Sequence, residues 1–182
     1  MTAAEEQRRH RAMRLSNRGA DYLRAGEAGK ALTLLRRAHQ LLPDDVPTAI
    51  NLSGAYILQG RHKEAIPILE RALAHEPENE MIWTNLGAAH LGNPILADEE
   101  QQCKAIEAFE RAIEIDPVAP NVHDSLGLIH RDRGETEQAM RRFRQAVQAN
   151  PHDRDARRAL RRLEDDRDDT TERGESSGPG PD

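Results

Sequence analysis

Residues recur at a fixed step along the chain, and the step constrains the fold more than any other feature. Tyr22 and Tyr56, Ala31 and Ala65, Ala38 and Ala72, and Pro43 and Pro77 each lie 34 positions apart. The alanine and proline columns then step by 40 to Ala105, Ala112 and Pro117, and by 34 again to Ala139, Ala146 and Pro151. A glycine column reads Gly19, Ser53, Gly87 and Gly127 at the same spacings. A period of this length marks one supersecondary unit that cannot bury its apolar face alone and must stack on its neighbours. Four units follow, spanning 12–45, 46–79, 80–119 and 120–153, with residues 1–11 as an N-terminal extension.

Within each unit apolar residues return every three or four positions, and a polar turn with glycine, such as Leu58-Gln59-Gly60-Arg61, divides the unit into two helices. The proline columns close the second helix, because proline lacks an N–H and restricts the residue before it. Gly87 and Gly127 suit a close helix crossing, with Ala105 and Ala139 as the small partners expected opposite. Pro67 falls inside a second helix, which it should bend. With aromatics at only 3% of the residues, alanine and leucine must form a thin core.

The third unit places Trp83, Leu86 and Gly87 ahead of Ala105, Phe109, Ala112 and Pro117. This pattern resembles the tetratricopeptide repeat. The resemblance covers the four units, with Ser53 replacing the second glycine, and His90 and His130 standing where the family usually has tyrosine. It implies an all-α fold: an α-solenoid, coiled as a right-handed superhelix of helix-turn-helix repeats. After Pro151, residues 154–164 carry Ala156, Ala159, Leu160 and Leu163 on one face, the form of a capping helix. Residues 165–182 have no apolar side chain and are expected to form a disordered acidic tail.

The same resemblance implies that the first helix of each repeat lines an inner groove. Two residues before the glycine column stand Asn17, Asn51, Asn85 and Ser125, a ladder whose amides can donate to and accept from the backbone of an extended peptide. Local backbone or water is the alternative partner for these amides. Leu23, Ile57 and Leu91, with Ile50 and Leu58, make the neighbouring rows apolar, whereas the fourth repeat offers Arg131 flanked by Asp124 and Asp132. The expected function is therefore a non-catalytic adaptor or scaffold that holds a peptide segment or a helix. The lysines that a chaperone-tail-binding subgroup of the family places on first helices do not occur there: Lys30, Lys63 and Lys104 all open second helices.

Charge excludes some classes and suggests another. The chain has 26 Lys plus Arg against 32 Asp plus Glu, a net −6 that argues against a general nucleic-acid binder. Residues 80–119 carry eight acids and two bases, and residues 131–162 carry ten arginines and five acids. Self-assembly of the basic C-terminal end against the acidic third repeat of a neighbour is the alternative function, and an acidic tail folding back over that basic surface is a further possibility. No phosphate-cradling loop, nucleophile elbow or His-Glu zinc helix appears, so neither enzyme activity nor a cofactor is expected. His90, His123 and His130 occupy columns filled by tyrosine or tryptophan elsewhere, which favours packing over metal ligation. A lone Cys103, beside Glu99 and Glu100, suggests an unreactive thiol in a reducing compartment. The polar N-terminus and the lack of a long apolar run lead to the expectation of a cytoplasmic protein without membrane contact. The six extra residues fall within 92–102, where Asn93-Pro94 should stop one helix and Asp98 to Glu100 should start the next one early.

Overall fold

The computed structural model describes residues 2–94, 96–119 and 121–175, with side chains up to Arg167. These residues form α-helices joined by turns, an all-α fold in which consecutive helices pair. In order they are α1 (Ala3–Arg24), α2 (Ala28–Leu41), α3 (Val46–Leu58), α4 (His62–Leu73), α5 (Glu80–Leu91), α6 (Glu99–Ile115), α7 (Val122–Asp132), α8 (Thr136–Ala149) and α9 (Arg154–Glu175). The chain divides into two compact units, Met1–Ala119 with α1 to α6 and Pro120–Asp182 with α7 to α9.

Local chemistry sets the helix ends. Gly26, Gly60 and Gly134 adopt φ between 68° and 74° where the first helix turns into the second, a conformation that costs a side-chain-bearing residue energy. Leu42, Asp116 and Asn150, each just before a proline, are extended and end α2, α6 and α8. In the second repeat, α4 runs through Pro67 and stops three residues before Glu76. Asp45, Asn79 and Asp98 accept N–H groups at the starts of α3, α5 and α6, and Asp98 forms a reciprocal capping box with Gln101. At the insertion, Gly92 ends α5 with φ 59°, one residue ahead of Asn93-Pro94. The early start gives α6 17 residues, against 14 in α2.

Packing follows the columns, with one correction. A Cβ at Gly87 would come within 2.6 Å of the Phe109 ring, and one at Gly127 within 2.7 Å of Phe143. The atoms nearest the glycines are thus those of Phe109 and Phe143, with Leu35 nearest Gly19, where Ala105 and Ala139 were the expected neighbours. Those alanines are buried one turn away on the same helix face, where their small size lets the ring reach across. Ser53 keeps its place in the second repeat because its hydroxyl donates to Ile50 O at 2.8 Å and the facing column holds Leu69.

In the first unit, ion pairs repeat as well. Arg71 on α4 reaches Asp44 at 2.7 Å, and Arg111, in the same column of α6, reaches Glu78 at 2.6 Å. Each pair ties a second helix to the turn that precedes its repeat. The Arg71 guanidinium holds the Asp44 carboxyl below its usual range. Being exposed, such pairs orient more than they stabilise.

Two expectations about the ends change. The N-terminal extension is part of α1, which begins at Ala3 with a Thr2–Glu5 capping box. Residues 165–175, expected to be disordered, continue α9. Apolar burial is not what extends the helix: Arg144 reaches Glu164 at 2.9 Å and Arg167 lies 3.9 Å from Glu137, so charge contacts to α8 carry it past the apolar stripe. Residues 176–182 of that expected tail lie outside the described residues.

Candidate protein-binding face

In the first unit α1 packs on α3 and α3 on α5, whereas α2, α4 and α6 meet one another at most marginally. First helices therefore approach each other more closely than second helices do, and they share one face. Polar contacts reinforce it. Thr48 donates to Ser16 Oγ at 2.8 Å between α3 and α1. Asn85 Nδ2 on α5 donates to Ile50 O and to Ser53 Oγ on α3, both at 3.3 Å.

The amide ladder thus divides. Asn85 is engaged in holding α5 to α3, while Asn17 is exposed, Asn51 is half-buried, and neither has a hydrogen-bond partner among the described residues. The apolar rows divide too. Ile50 and Leu91 are 8% and 6% exposed and belong to the core, which corrects their placement on an open face. Ile50 lies where α5 packs on α3, which covers it. Leu23 and Ile57 are half-buried, and Leu58 stands 65% exposed. Sequence reasoning missed Met13 and Met81, both about half exposed in the first turns of the repeats, with exposed Pro47 in the same column between them. Their spacing of twice 34 was the available signal. Together these rows make a face of thioether, alkyl and amide groups, with Arg24, in the column of Leu58 and paired with Asp21, as their one charged side chain.

The remaining two predicted positions lie in the second unit. Ser125 donates to Asn121 O at 2.9 Å, a bond internal to the start of α7. Arg131 is exposed and pairs with Asp132 through Nε and Nη2 at 2.9 and 2.7 Å. Around them the interior is unusually polar. His123 and His130 are buried, and His130 Nδ1 donates to Glu135 Oε2 at 2.5 Å. With Arg133 at 2.9 Å on the other oxygen, the Glu135 carboxyl is held below its ordinary range. Asp124 is half-buried, and loss of water together with the neighbouring Asp153 and Asp155 raises its pKa to about 6.

Other candidate chemistry has little support. Among the described residues, no three His, Cys, Asp or Glu side chains gather as a metal site would require. Cys103 is exposed on α6. A polar cleft of about 770 Å³ lies beside the insertion, lined among others by His62, Lys63, Glu70, His90 and Lys104. Burial and Lys104 lower the His90 pKa. Bases and acids alternate around this cleft, so it selects no charge. No helix among the described residues is long and apolar enough to cross a membrane.

Comparison with known proteins now decides the family, since residues 22–89, 95–118 and 120–163 each match a tetratricopeptide repeat description. The chain belongs to the tetratricopeptide repeat family. Tetratricopeptide repeat proteins in general mediate protein–protein interactions and scaffolding, and their fold is typically that of non-catalytic adaptors. Among curated relatives, it is 27% identical over 126 residues to anaphase-promoting complex subunit 3 of Schizosaccharomyces pombe, covering 68% of this chain and 18% of that protein. It is 27% identical over 146 residues to the protein O-mannosyl-transferase TMTC1 of Homo sapiens, covering 78% and 16%. The chain therefore spans less than a fifth of the length of these relatives. Solved tetratricopeptide arrays share its fold. TTC0263, a thermophilic protein of this family from Thermus thermophilus, superposes with a TM-score of 0.71 at 22% identity, over 84% of this chain and 80% of that one. MamA from Desulfovibrio magneticus RS-1 gives 0.65 at 22% identity, over 79% and 77%.

Proposed function

We propose that this tetratricopeptide chain is a non-catalytic adaptor that holds a peptide segment or helix of a protein partner on the face formed by α1, α3 and α5. The observation that carries this reading is the composition of that face. Met13, Met81 and Leu58 are exposed, beside the unengaged amides of Asn17 and Asn51, and Arg24, paired with Asp21, is the one charged side chain in those rows. Apolar groups left in water and pointing to one surface favour association, and amides without partners supply backbone-directed hydrogen bonds. A bound segment would set aliphatic side chains against Leu58 and the methionines and its peptide groups against the two asparagines. The reading places the chain in a reducing, cytoplasmic setting, with Cys103 as a bystander.

Self-assembly through the basic C-terminal end would rest on Arg141, Arg154, Arg161 and Arg162, which have no ion pair among the described residues, since Arg131, Arg133, Arg144, Arg158 and Arg167 lie against acids of that same unit.

Photo-crosslinking tests the adaptor reading. A crosslinker at position 51 should capture a partner segment from a displayed peptide library, and one at Lys63 on α4 should not. Leu58→Arg should abolish the capture while leaving helicity unchanged. Equal capture at both positions, or capture indifferent to Leu58→Arg, would remove the face from consideration.

A further inference from the structure

Among the described residues the methionines fall into two classes. Met13 and Met81 are 47% and 50% exposed, whereas Met140, on α8 of the second unit, is 0% exposed. The exposed pair shares a column, twice 34 positions apart, at equivalent turns of α1 and α5. In the first unit α1 packs on α3 and α3 on α5, so equal positions on these helices line one edge of their shared face, with exposed Pro47 between the two sulfurs. Each thioether stands four residues before an amide of the ladder, Met13 before Asn17 and Met81 before Asn85. Residues at that spacing lie one above the other on a helix. The sulfurs therefore border the row where a bound segment would lie.

A solvent-facing thioether reacts with a peroxide through its sulfur lone pair. The sulfur attacks one peroxide oxygen, an S–O bond forms and the O–O bond breaks. The proton on the transferred oxygen passes to the departing hydroxide, which leaves as water. Sulfur is oxidised by two electrons and the peroxide is reduced by two. The product, methionine sulfoxide, is polar, and methionine sulfoxide reductases return it to the thioether with electrons from a thiol. A sulfur as buried as that of Met140 is out of the oxidant's reach.

We propose that Met13 and Met81 form a paired, reversible oxidation site that sets the polarity of the α1–α3–α5 face and so its hold on a partner. The consequence for binding rests on the adaptor reading of that face. Two effects act together. A sulfoxide must lose its water before an aliphatic side chain can sit on it, which is unfavourable without a replacing hydrogen bond. On α1 the new oxygen is also an acceptor, and the unengaged Asn17 amide stands one turn away, about 6 Å between Cβ atoms. Oxidation at position 13 thus competes for an amide that a bound segment would use. On α5 the Asn85 amide is already given to Ile50 O and Ser53 Oγ, so Met81 acts through polarity alone. Neither methionine belongs to the buried core, so the helices stay folded in both states.

The test uses the full chain with Cys103→Ser, which removes the exposed thiol as a competing target. After treatment with hydrogen peroxide and removal of the excess, peptide mass spectrometry should find oxygen on Met13 and Met81, and on Met140 only once the chain has been denatured. The peptide recovered by the position-51 crosslink should bind the oxidised protein about tenfold more weakly, with unchanged circular dichroism. The two methionine sulfoxide reductases, one for each sulfoxide epimer, should restore binding in the presence of dithiothreitol. The variant Met13→Leu with Met81→Leu, which keeps an apolar side chain of similar volume, should bind equally before and after peroxide. Oxidation of Met140 as fast as the pair in the folded chain overturns the proposal. So does peptide binding unchanged by full oxidation, or a peroxide effect that persists in the leucine variant. If the untreated protein captures no peptide, the adaptor reading fails by itself, and retention on an octyl resin decides for the oxidation site. Retention lowered by peroxide in the methionine form and not in the leucine variant supports the site, and equal retention overturns it.

Discussion

The two units bury different chemistry under the same repeat pattern. In the first, the fully buried polar side chains are hydroxyls, Ser16, Thr48 and Ser53, each hydrogen-bonded, and the titratable His39 and His90 are only half-buried, with burial lowering both pKa values. In the second, His123 and His130 are buried and Asp124 is half-buried beside two further acids. The columns tolerate both because they demand only shape at the helix crossings, and the glycine-and-ring pairing is as tight in one unit as in the other. Charge state is then free to differ, and with it the response to pH.

Removing a ring should break both units alike. Phe109→Ala and Phe143→Ala each leave a cavity under a glycine backbone and should cost about 3–5 kcal/mol in denaturant unfolding. Filling the same space from the other side is next in size. Gly87→Ala and Gly127→Ala force a ring off its seat and should cost about 1–3 kcal/mol, and pairing Gly127→Ala with Phe143→Leu should cost less than the two changes added.

Asp124→Asn should separate the units. A carboxyl whose pKa is raised by folding binds its proton more tightly in the folded state, so between its ordinary value and about 6 the folded state holds more protons and stability falls as pH rises. Above that window ionised Asp124 destabilises the second unit, and the asparagine removes this penalty. Melting at pH 7 should show a gain of about 1 kcal/mol, reduced by solvent screening of a half-buried group, and the gain should vanish near pH 4. Smallest is the difference within the ladder. Asn85→Ala should cost about 1 kcal/mol by freeing Ser53 Oγ and Ile50 O, while Asn51→Ala should leave stability unchanged and act only on partner binding, measured by titration calorimetry.

Much of the fold was legible because the repeat turns weak local signals into columns. The turn glycines, the residues before proline and the Asp98 start of α6 each fall where their backbone chemistry directs. What escaped required knowledge of reach. Ala105 and Phe109 lie one turn apart on a single face, so spacing alone does not say which touches Gly87, and the length of a ring decides it. Asn51 and Asn85 share a column, yet Asn85 meets the Ser53 hydroxyl on α3, where the equivalent place on α1 is Gly19, which has none. Composition marked residues 165–175 as too poor in apolar groups to order themselves, but contacts of Glu164 and Arg167 with α8 hold the helix where that stretch begins.

The longer α6 has a practical consequence. Its three extra residues, just under one turn, were added ahead of Ala105, Phe109 and Ala112, so the crossing at Gly87 is undisturbed. The turn at Asn93-Pro94 therefore separates length from register: it is a natural graft point, where a fluorophore-binding tag or an epitope can be spliced in after α5 without passing its strain to the neighbouring helices.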